Sequence, residues 1–248
     1  MSYSIKAVVL AAGKGTRIQT ENIDLPKVMR TVRGKPLLHY VLDALSFIPN
    51  EDIILAVGYR KEDVIAYFHD YTFAEQVEQL GTGHAVMSAS AELSSFDGGV
   101  LVCCGDMPLL TRETYTALAG AHLNAGNDCT ILSSSFDTPL PYGRIVRDES
   151  GGFLKIVEEK DCTPDERLIT ELNSGVYIFD AKKLLPALSE LKSDNAQSEY
   201  YITDIPAILL EQGAKIGILK RNLGDEIVGV NTVEQLEQVE EILSKREQ

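Results

Sequence analysis

The sequence LAAGKGTR, at residues 10–17, places two glycines and two basic residues where an apolar strand ends. Residues 5–12 are mostly apolar, so Gly13 and Gly15 open a loop directly after a buried strand. A glycine has no Cβ atom, so a glycine loop lets backbone N–H groups approach phosphate oxygens closely. The spacing matches neither a P-loop nor the full dinucleotide-binding motif. A phosphate loop and a turn that binds nothing therefore both remain open.

A further basic residue, Lys27, follows Arg17 by ten positions, in the segment LPK. Arg17 carries a forked guanidinium and Lys27 a compact ammonium, a combination that suits the separate charges of a polyphosphate. The first 48 residues contain seven basic and three acidic side chains, whereas the whole chain has a formal net charge of −14. We therefore expect a small anion to bind near the glycine loop.

The acidic character of the whole chain excludes two classes of partner. DNA- and RNA-binding domains contact phosphates through a basic face, and anionic membrane leaflets repel an acidic surface. We therefore expect no nucleic-acid and no membrane partner. The apolar N-terminal stretch is too short to cross a bilayer, and the four cysteines lack metal-binding spacing. These features favour reduced thiols and a cytoplasmic location.

Short apolar runs alternate with amphipathic stretches along the chain. This order predicts an α/β fold with a mostly parallel sheet flanked by helices, because strands buried on both faces are almost continuously hydrophobic. The predicted strands are 5–12, 52–58, 99–106, 128–135, 174–180 and 214–220, and the predicted helices are 36–48, 61–69, 83–93, 112–124, 200–212 and 232–246. A Pro/Gly turn at 138–143 introduces a hairpin around 148–152, which we expect to form an antiparallel lid.

Asp106 follows the apolar run 99–104 at the predicted carboxyl end of a strand. Ligands gather at this edge of open α/β sheets, and a carboxylate there is a ligand that Mg²⁺ prefers. An aspartate that caps the following helix or turn would have the same position. The sequence leaves both roles open for Asp106.

The motifs LAAGKGTR and LPK resemble those of the sugar-nucleotide pyrophosphorylases, a nucleotidyltransferase superfamily. Further blocks follow in that superfamily's order: EQLGTGHA, CGDMPLL, YGRIV, IVEEKD, ELNSGVY, EYYITD and GVN. Together they are similar to the uridyltransferase domain of the bacterial bifunctional N-acetylglucosamine-1-phosphate uridyltransferase/glucosamine-1-phosphate acetyltransferases. The resemblance covers nearly the whole chain but not the β-helix of hexapeptide repeats that carries acetyl transfer in those enzymes.

This resemblance implies a Rossmann-like, GT-A-like nucleotidyltransferase that uses Mg²⁺ to transfer a uridylyl group from UTP to N-acetylglucosamine 1-phosphate. It assigns 1–231 to the transferase domain, about 138–180 to a sugar-binding lobe, and 232–248 to a C-terminal helix. Trimerisation in the family comes largely from the missing half, so we expect a monomer. The chain is either a stand-alone uridyltransferase or a piece of a bifunctional enzyme.

The resemblance also implies roles for individual residues. The implied catalytic residues are Arg17, Lys27 and Asp106, and the implied metal ligands are Asp106 and Asn231. The implied substrate-binding residues are Leu10, Ala11, Ala12, Gly13, Gly15, Thr16, Gln76, Gly81, Thr82, Cys104, Gly105, Gly143, Glu158, Asn173 and Asn231. Among these, Gln76 and Gly81 correspond to positions that read the uracil base. Gly143, Glu158 and Asn173 correspond to sugar contacts.

Several of these residues have simpler interpretations from the sequence alone. Asn231 and Thr82 precede or begin predicted helices and could be N-caps. Gln76 could be an exposed strand residue. Glu159 and Lys160, beside Glu158, are expected to form a solvated charge run.

Cys104 stands where the family commonly has a tyrosine before the Gly-Asp pair. A thiol is smaller and a weak hydrogen-bonding group, so we expect looser contacts with ribose or sugar. No histidine is placed by the sequence to activate this thiol, and we expect no catalytic cysteine. We assign His39, His69 and His122 to helices as structural or surface residues.

Two other functions remain open from the sequence. The chain could transfer a nucleotide to another sugar 1-phosphate, or use CTP with a small phosphorylated alcohol. It could also be a catalytically silent module that binds nucleotide sugars. The presence of both loop cations and of the metal carboxylate favours an active enzyme.

Overall fold

The computed structural model describes residues 4–15, 18, 24–138 and 140–246, which form a nine-stranded mixed sheet, a small two-stranded sheet and eight α-helices. The strands are β1 Ile5–Ala11, β2 Thr31–Val32, β3 Lys35–Pro36, β4 Ile53–Val57, β5 Thr72–Glu75, β6 Gly99–Cys104, β7 Cys129–Ser135, β8 Arg144–Arg147, β9 Phe153–Val157, β10 Glu171–Asp180 and β11 Ile216–Lys220. The helices are α1 Leu37–Ala44, α2 Lys61–Tyr67, α3 Thr82–Met87, α4 Ser90–Leu93, α5 Arg112–Ala125, α6 Ala181–Leu188, α7 Ile205–Glu211 and α8 Val233–Arg246.

The main sheet has the order β11-β7-β10-β6-β1-β4-β5. Strands β6, β1, β4 and β5 pair in parallel, as β11 does with β7. Strand β10 lies between β6 and β7 and is antiparallel to both. The prediction of a mostly parallel α/β sheet is therefore confirmed, with one antiparallel strand near its middle.

The two faces of the sheet are each covered by helices. Ala7, Val9 and Ala11 of β1 belong to one apolar cluster, which includes residues of α1 and α5. Val8 belongs to a second cluster, which includes residues of α3, α6 and α7. Each fully buried Val, Leu or Ile side chain in these clusters contributes about 1.5–3 kcal/mol to folding. This two-sided burial explains why the strand is apolar at successive positions.

The predicted helices are present with altered bounds. The predicted helix 83–93 is divided into α3 and α4, and the predicted helix 200–212 is a 3₁₀ turn, Ile202–Asp204, followed by α7. Helix α1 is shorter than predicted and begins directly after Pro36. Strands β2, β3 and β5 were not predicted. None of the helices in the described part of the chain has the length and apolar character that a membrane span needs.

The predicted hairpin around 148–152 is confirmed as β8 and β9, which pair in antiparallel fashion. The Asp148 carboxylate accepts hydrogen bonds from the backbone N–H groups of Ser150 and Gly152, at 2.9 and 2.8 Å, and so closes the turn. Strand β8 also pairs with β10, at Arg144 and Leu172. The hairpin is thereby attached to the main sheet at the start of β10.

The strand directions bring several candidate residues to one edge of the sheet. Strands β1, β4 and β6 all end at this edge because they are parallel. Strand β10 runs in the opposite sense, so its first half, with Asn173 and Gly175, lies at the end of β6. A Cβ atom placed on Gly175 would lie 3.7 Å from Cys104 Sγ. The candidate site therefore forms where three strands end and a fourth begins.

Candidate active site

A cleft of about 240 Å³ lies at this edge of the sheet. Its lining residues are Leu10, Ala12, Gly13, Lys27, Val28, Gln76, Gln79, Gly81, Thr82, Ala85, Cys104, Asp106 and Glu199. Nine of these are predicted from the sequence, whereas Val28, Gln79, Ala85 and Glu199 are not. Ala11 is buried at the end of β1 and is not part of the lining. Thr16 and Arg17 lie outside the residues that the structure describes.

Lys27, Asp106 and Asn231 meet at one point beside this cleft. Lys27 Nζ donates hydrogen bonds to Asp106 Oδ2 and, at 2.8 Å, to Asn231 Oδ1. The side chains of Lys27 and Asp106 are only 14% and 20% exposed. Lys27 comes from a 3₁₀ turn, Asp106 from the loop after β6, and Asn231 from the residues before α8. The fold thus brings together three predicted site residues that are far apart in the sequence.

Backbone contacts fix the positions of the two oxygen-bearing residues. Val230 N donates to Asp106 O at 2.9 Å. Gln235 Oε1 accepts from the N–H groups of Asn231 and Thr232, at 2.7 and 3.1 Å, while Thr232 Oγ1 accepts from Gln235 N at 3.3 Å. This reciprocal pair is a capping box for α8. Thr232 provides the cap, and the N-cap interpretation of Asn231 is therefore wrong.

The donor set at this point fits Mg²⁺. The Asp106 carboxylate and the Asn231 amide oxygen already converge on one cation, the Lys27 ammonium. Mg²⁺ prefers hard oxygen ligands and usually takes one or two from protein, with waters and phosphates completing its coordination. Within the described ranges, no group of three or more His, Cys, Asp or Glu side chains is arranged to hold a metal. Two oxygen ligands from the protein would leave the other coordination positions of such an ion to waters or phosphates.

The glycine loop packs directly against Lys27. Gly15 has a φ of +65°, and a Cβ atom at this position would lie 2.7 Å from Lys27 Cβ. Only a glycine allows the loop backbone to approach the lysine stem this closely. Gly105 N donates to Leu10 O at 2.9 Å, which joins the end of β1 to the loop that carries Asp106. The loop, the lysine and the carboxylate thus form one unit.

Gln76 and Gly81 form another wall of the cleft. Gln76 is only 3% exposed, so the exposed-strand interpretation is wrong. Its Nε2 atom donates to Gly81 O at 3.0 Å and lies 3.2 Å from His84 Nδ1. The carboxamide is therefore fixed in orientation by two neighbouring groups. Because Nε2 is directed at these protein groups, Oε1 is the atom of the carboxamide that can accept a hydrogen bond from a nucleobase.

Contacts with the segment 199–204 hold the Gly81 loop in place. Gly83 N donates to Tyr200 O at 2.7 Å, and Tyr200 N donates to Leu80 O at 2.8 Å. Thr82 Oγ1 accepts from Ile202 N at 3.0 Å. Gly81 is the residue that precedes α3, and it makes no side-chain cap. The N-cap interpretation of Thr82 is therefore wrong, because its hydroxyl fastens the 199–204 segment.

The three predicted sugar contacts lie around the start of β10 and the end of β9, outside the lining of the cleft. Asn173 N donates to Gly143 O at 2.8 Å, and Asn173 Nδ2 donates to Tyr177 OH at 2.7 Å. Glu158 Oε1 accepts from Thr203 Oγ1 at 3.0 Å. Burial raises the pKa of the Glu158 carboxyl above its ordinary range. The structure thus joins Gly143 to Asn173 and ties Glu158 to the 199–204 segment.

The residues beside Glu158 differ from the expected solvated run. Glu159 Oε2 lies 2.6 Å from Arg144 Nη1, and the Arg144 side chain is 3% exposed. The expectation is therefore wrong for Glu159, which is the counter-ion of a buried guanidinium. Lys160 is exposed and donates to Gln197 Oε1 at 2.6 Å.

Cys104 lines the cleft at the end of β6. Burial, together with the nearby Asp106 charge, raises the pKa of its thiol well above the ordinary value, which keeps the sulfur protonated and poorly nucleophilic. Among the histidines, His39 lies in α1, and His122 is buried in α5 with Nδ1 3.0 Å from Thr130 Oγ1. His69 lies beyond the end of α2, so its helical assignment is wrong.

Asp204 lies on a second cavity of about 260 Å³, which Glu158 and Asp161 also line. Burial, and secondarily the Asp161 charge, raises the pKa of Asp204 from 3.8 to about 6. Between these two values the folded protein binds a proton that the unfolded chain releases, so stability falls as pH rises. We expect Asp204→Asn to unfold at a higher temperature than the parent at pH 7.5. Because the side chain is only half-buried, we expect about 1 kcal/mol.

Thermal unfolding of both proteins at pH 4.0 and 7.5 tests this prediction. The stabilisation should shrink at pH 4.0, where Asp204 is protonated in the folded state. Asp194→Asn, at an exposed position of the same cavity, is the control and should not become more stable at the higher pH. Equal destabilisation of Asp204→Asn at both pH values would contradict the prediction.

Two solved structures have the same fold as this chain. A putative glucose-1-phosphate thymidylyltransferase from Bacillus anthracis, in complex with sucrose, has a TM-score of 0.72 and 19% identity, and the match covers 96% of this chain and 95% of that one. HddC from Yersinia pseudotuberculosis, complexed with GMP-PN, has a TM-score of 0.67 and 21% identity, with 97% and 99% covered. At these identities the similarity establishes the fold alone.

Curated relatives are much more similar in sequence. The bifunctional protein GlmU of Caldanaerobacter subterraneus subsp. tengcongensis is 45% identical over 241 residues, which are 97% of this chain and 52% of the relative. GlmU of Clostridium novyi is 47% identical over 242 residues, with the same shares covered. The chain therefore spans about half the length of the curated relatives it matches. The resemblance to one half of the bifunctional proteins is confirmed.

A family model matches the region of the chain that forms the cleft. The model of the MobA-like NTP transferase domain matches residues 7–203. The matched region includes most of β1, the glycine loop, Lys27, Gln76 and Asp106, and it covers most of the chain. On this match, with the fold and the curated relatives in agreement, the chain belongs to the MobA-like NTP transferase family.

Proposed function

We propose that this protein transfers a uridylyl group from UTP to N-acetylglucosamine 1-phosphate and releases pyrophosphate. The observation that carries the proposal is the convergence of Lys27, Asp106 and Asn231 beside the glycine loop. The cleft next to this cluster contains Gln76 and Gly81, the positions that the sequence resemblance assigns to the uracil base. The similarity to half of the bifunctional protein GlmU supports the same reaction.

The proposed reaction needs no covalent enzyme intermediate. A phosphate oxygen of the sugar 1-phosphate attacks the α-phosphorus of UTP and forms a new P–O bond. The bond from the α-phosphorus to the oxygen bridging the α- and β-phosphates breaks, and that oxygen leaves with pyrophosphate. The protein then has to position two anionic reactants and neutralise the charge on the phosphoryl oxygens.

The residues of the glycine loop and Lys27 perform this neutralisation. Backbone N–H groups at Gly13 and Gly15 can approach the triphosphate without obstruction by a side chain. The stem of Lys27 packs beside Gly15, and its ammonium would neutralise charge on the reacting phosphates. Arg17 remains a prediction from the sequence, as the group that holds the departing pyrophosphate.

Asp106 and Asn231 would hold the Mg²⁺ ion in this reaction. When bound, Mg²⁺ supplies positive charge to the phosphate oxygens and helps to orient them. The Asp106 backbone is fixed by Val230, and the Asn231 backbone by Gln235. These contacts keep the two oxygen ligands in place before substrates arrive.

The remaining residues would select the substrates. Gln76 and Gly81 would contact the imide edge of uracil, and Gly143, Glu158 and Asn173 would contact the sugar. Accordingly, we assign 1–231 to the transferase domain, about 138–180 to its sugar-binding lobe, and 232–248 to a C-terminal helix. Cys104, in place of a larger aromatic residue, would leave the ribose or sugar less tightly held. We further infer that the chain acts in the cytoplasm and as a monomer.

A pyrophosphate-release assay tests the choice of substrates. We expect the highest kcat/KM for UTP with N-acetylglucosamine 1-phosphate, in a panel of the four nucleoside triphosphates with several sugar 1-phosphates and small phosphorylated alcohols. A hydrogen-bonding site for one base rejects bases with the wrong pattern, because buried polar groups are then left unpaired. Preference for CTP with a small phosphorylated alcohol would contradict the proposal. Tight binding of UDP-N-acetylglucosamine in calorimetry without any turnover would also contradict it.

A further inference from the structure

The Lys27 ammonium lies where both proposed metal ligands converge. Its Nζ atom donates to Asp106 Oδ2 and to Asn231 Oδ1, the same two oxygens that we assign to Mg²⁺. The Lys27 and Asp106 side chains are largely buried, so their interaction is only weakly screened by solvent. Among the residues that the structure describes, Lys27 is thus a cation of the chain itself that neutralises the Asp106 carboxylate.

A metal ion at this point has to compete with the ammonium. A buried carboxylate without a partner is costly, and Lys27 removes that cost for Asp106. A divalent cation bound to the same two oxygens would neutralise the Asp106 carboxylate in place of Lys27. It would also repel the lysine ammonium at short range. Binding of the metal to the free protein therefore requires the Lys27 side chain to leave.

The surroundings of Lys27 provide a second place for its charge. The glycine loop packs against the lysine stem, with Gly15 close enough that a Cβ atom would be 2.7 Å from Lys27 Cβ. Phosphates bound at this loop would offer the ammonium new anionic partners at a short distance. A lysine side chain is a flexible four-carbon stem, so rotation of this side chain would let the ammonium exchange the carboxylate for a phosphate.

We propose that Lys27 is an internal placeholder cation that occupies the metal position in the free protein and lowers its affinity for divalent metal. This inference rests on the proposed function, because it takes Asp106 and Asn231 as the metal ligands. Its consequence is a negative coupling between the lysine charge and the metal, which is measurable in the absence of substrates. Removal of the charge should therefore increase metal affinity, although it removes a catalytic residue.

Binding of Mn²⁺ in the absence of nucleotide tests this proposal. Electron paramagnetic resonance of free Mn²⁺ gives its dissociation constant for the parent, Lys27→Met and Lys27→Arg. We expect Lys27→Met to bind Mn²⁺ at least tenfold more tightly than the parent, and Lys27→Arg to resemble the parent because it retains the charge. Equal or weaker binding by Lys27→Met would overturn the proposal.

A matched control separates this effect from a general change in charge. Lys14 lies in the same loop, but its ammonium is over the ring of Tyr59, 5.1 Å from the ring centroid. Lys14→Met removes one positive charge from the loop without emptying the position between Asp106 and Asn231. We expect it to change the Mn²⁺ affinity by less than about twofold, since exposed charges are screened by solvent and salt. A gain as large as that of Lys27→Met would overturn the placeholder role.

Two further measurements keep the test decisive. Asp106→Asn should abolish Mn²⁺ binding in the Lys27→Met background. If Asp106→Asn does not abolish Mn²⁺ binding, the metal assignment in the proposed function is wrong. If Asp106→Asn abolishes it but Lys27→Met binds Mn²⁺ no more tightly than the parent, only the placeholder proposal fails. Thermal unfolding is a second readout, in which Mn²⁺ should raise the Tm of Lys27→Met more than that of the parent. The absence of this difference would also overturn the proposal.

Discussion

Replacement of Asp106 by asparagine should lower kcat for pyrophosphate release by about 10²–10³-fold, a loss of about 3–4 kcal/mol of transition-state stabilisation. The carboxylate is the only charged member of the proposed metal-ligand pair, and its oxygen already contacts the Lys27 ammonium in a largely buried position. Asparagine preserves the shape of the side chain and an oxygen atom but removes the charge. We therefore expect the fold to survive and the dependence on Mg²⁺ to shift to much higher concentrations.

Steady-state rates at a series of Mg²⁺ concentrations measure this effect. Asp97→Asn is a suitable control, because Asp97 is an exposed aspartate whose carboxylate pairs with Lys182 at 2.7 Å. An exposed pair of this kind contributes about 0–1 kcal/mol, so turnover should remain at the parental level. Near-parental, Mg²⁺-dependent turnover by Asp106→Asn would show that Asp106 does not hold the metal.

Replacement of Gly81 by alanine should destabilise the protein and impair nucleotide binding. Gly81 has a φ of +112°, and its Cβ atom would lie 2.6 Å from Tyr200 O and 2.8 Å from Glu199 Cβ. The first of these contacts involves backbone that is itself hydrogen-bonded to Gly83. Strain of this kind costs about 2–3 kcal/mol, and relief of it would move the 199–204 segment away from the cleft.

Two measurements distinguish strain from a local loss of binding. Denaturant unfolding should show a lower free energy of unfolding for Gly81→Ala, and kinetics should show a KM for UTP raised about tenfold or more, roughly 1.4 kcal/mol. Gly120→Ala is the matched control, because a Cβ atom there meets nothing within 4 Å in helix α5. Alanine is favoured over glycine inside a helix, so the control should be at least as stable as the parent. If Gly81→Ala had the parental free energy of unfolding and the parental KM for UTP, Gly81 would not be required to position this wall of the cleft.

The sequence predicts the parts of the fold that depend on local patterns. Strands β1, β4 and β6 are apolar at successive positions and buried on both faces, so their pattern is unambiguous. The direction of β10 could not be predicted, because a continuous apolar run fits a parallel and an antiparallel neighbour equally well. Strand β5 was missed because its four residues, TFAE, are short, half-exposed and lack a clear period.

The candidate site shows the same division between local and long-range information. Asp106 and the glycine loop each follow an apolar strand in the sequence, and they lie at one edge of the sheet because those two strands are parallel neighbours. The contact of Asn231 with Lys27 joins residues that are 204 positions apart, and only the resemblance to a family pointed to Asn231. The alternative N-cap role of Asn231 failed because Thr232, one residue further on, makes the cap.

Two of the cleft residues that the sequence did not indicate have polar side chains and lie in blocks that carry the family resemblance. Gln79 lies in EQLGTGHA and Glu199 in EYYITD, and both line the cleft. Their exposure to the cleft follows from the backbone bonds between the 80–83 loop and Tyr200, which no sequence period encodes. The blocks EQLGTGHA and EYYITD can be assigned to the same wall of the cleft only when this tertiary contact is known.

Phosphorus-31 NMR of the complete reaction tests the central claim most directly. The protein is incubated with UTP, N-acetylglucosamine 1-phosphate and Mg²⁺, and the spectrum is compared with that obtained in the presence of a chelator. Attack on the α-phosphorus predicts the paired resonances of UDP-N-acetylglucosamine together with one equivalent of pyrophosphate, and neither signal when Mg²⁺ is removed. The appearance of UDP with a sugar bisphosphate, of orthophosphate alone, or of no product with intact folded protein would contradict the account.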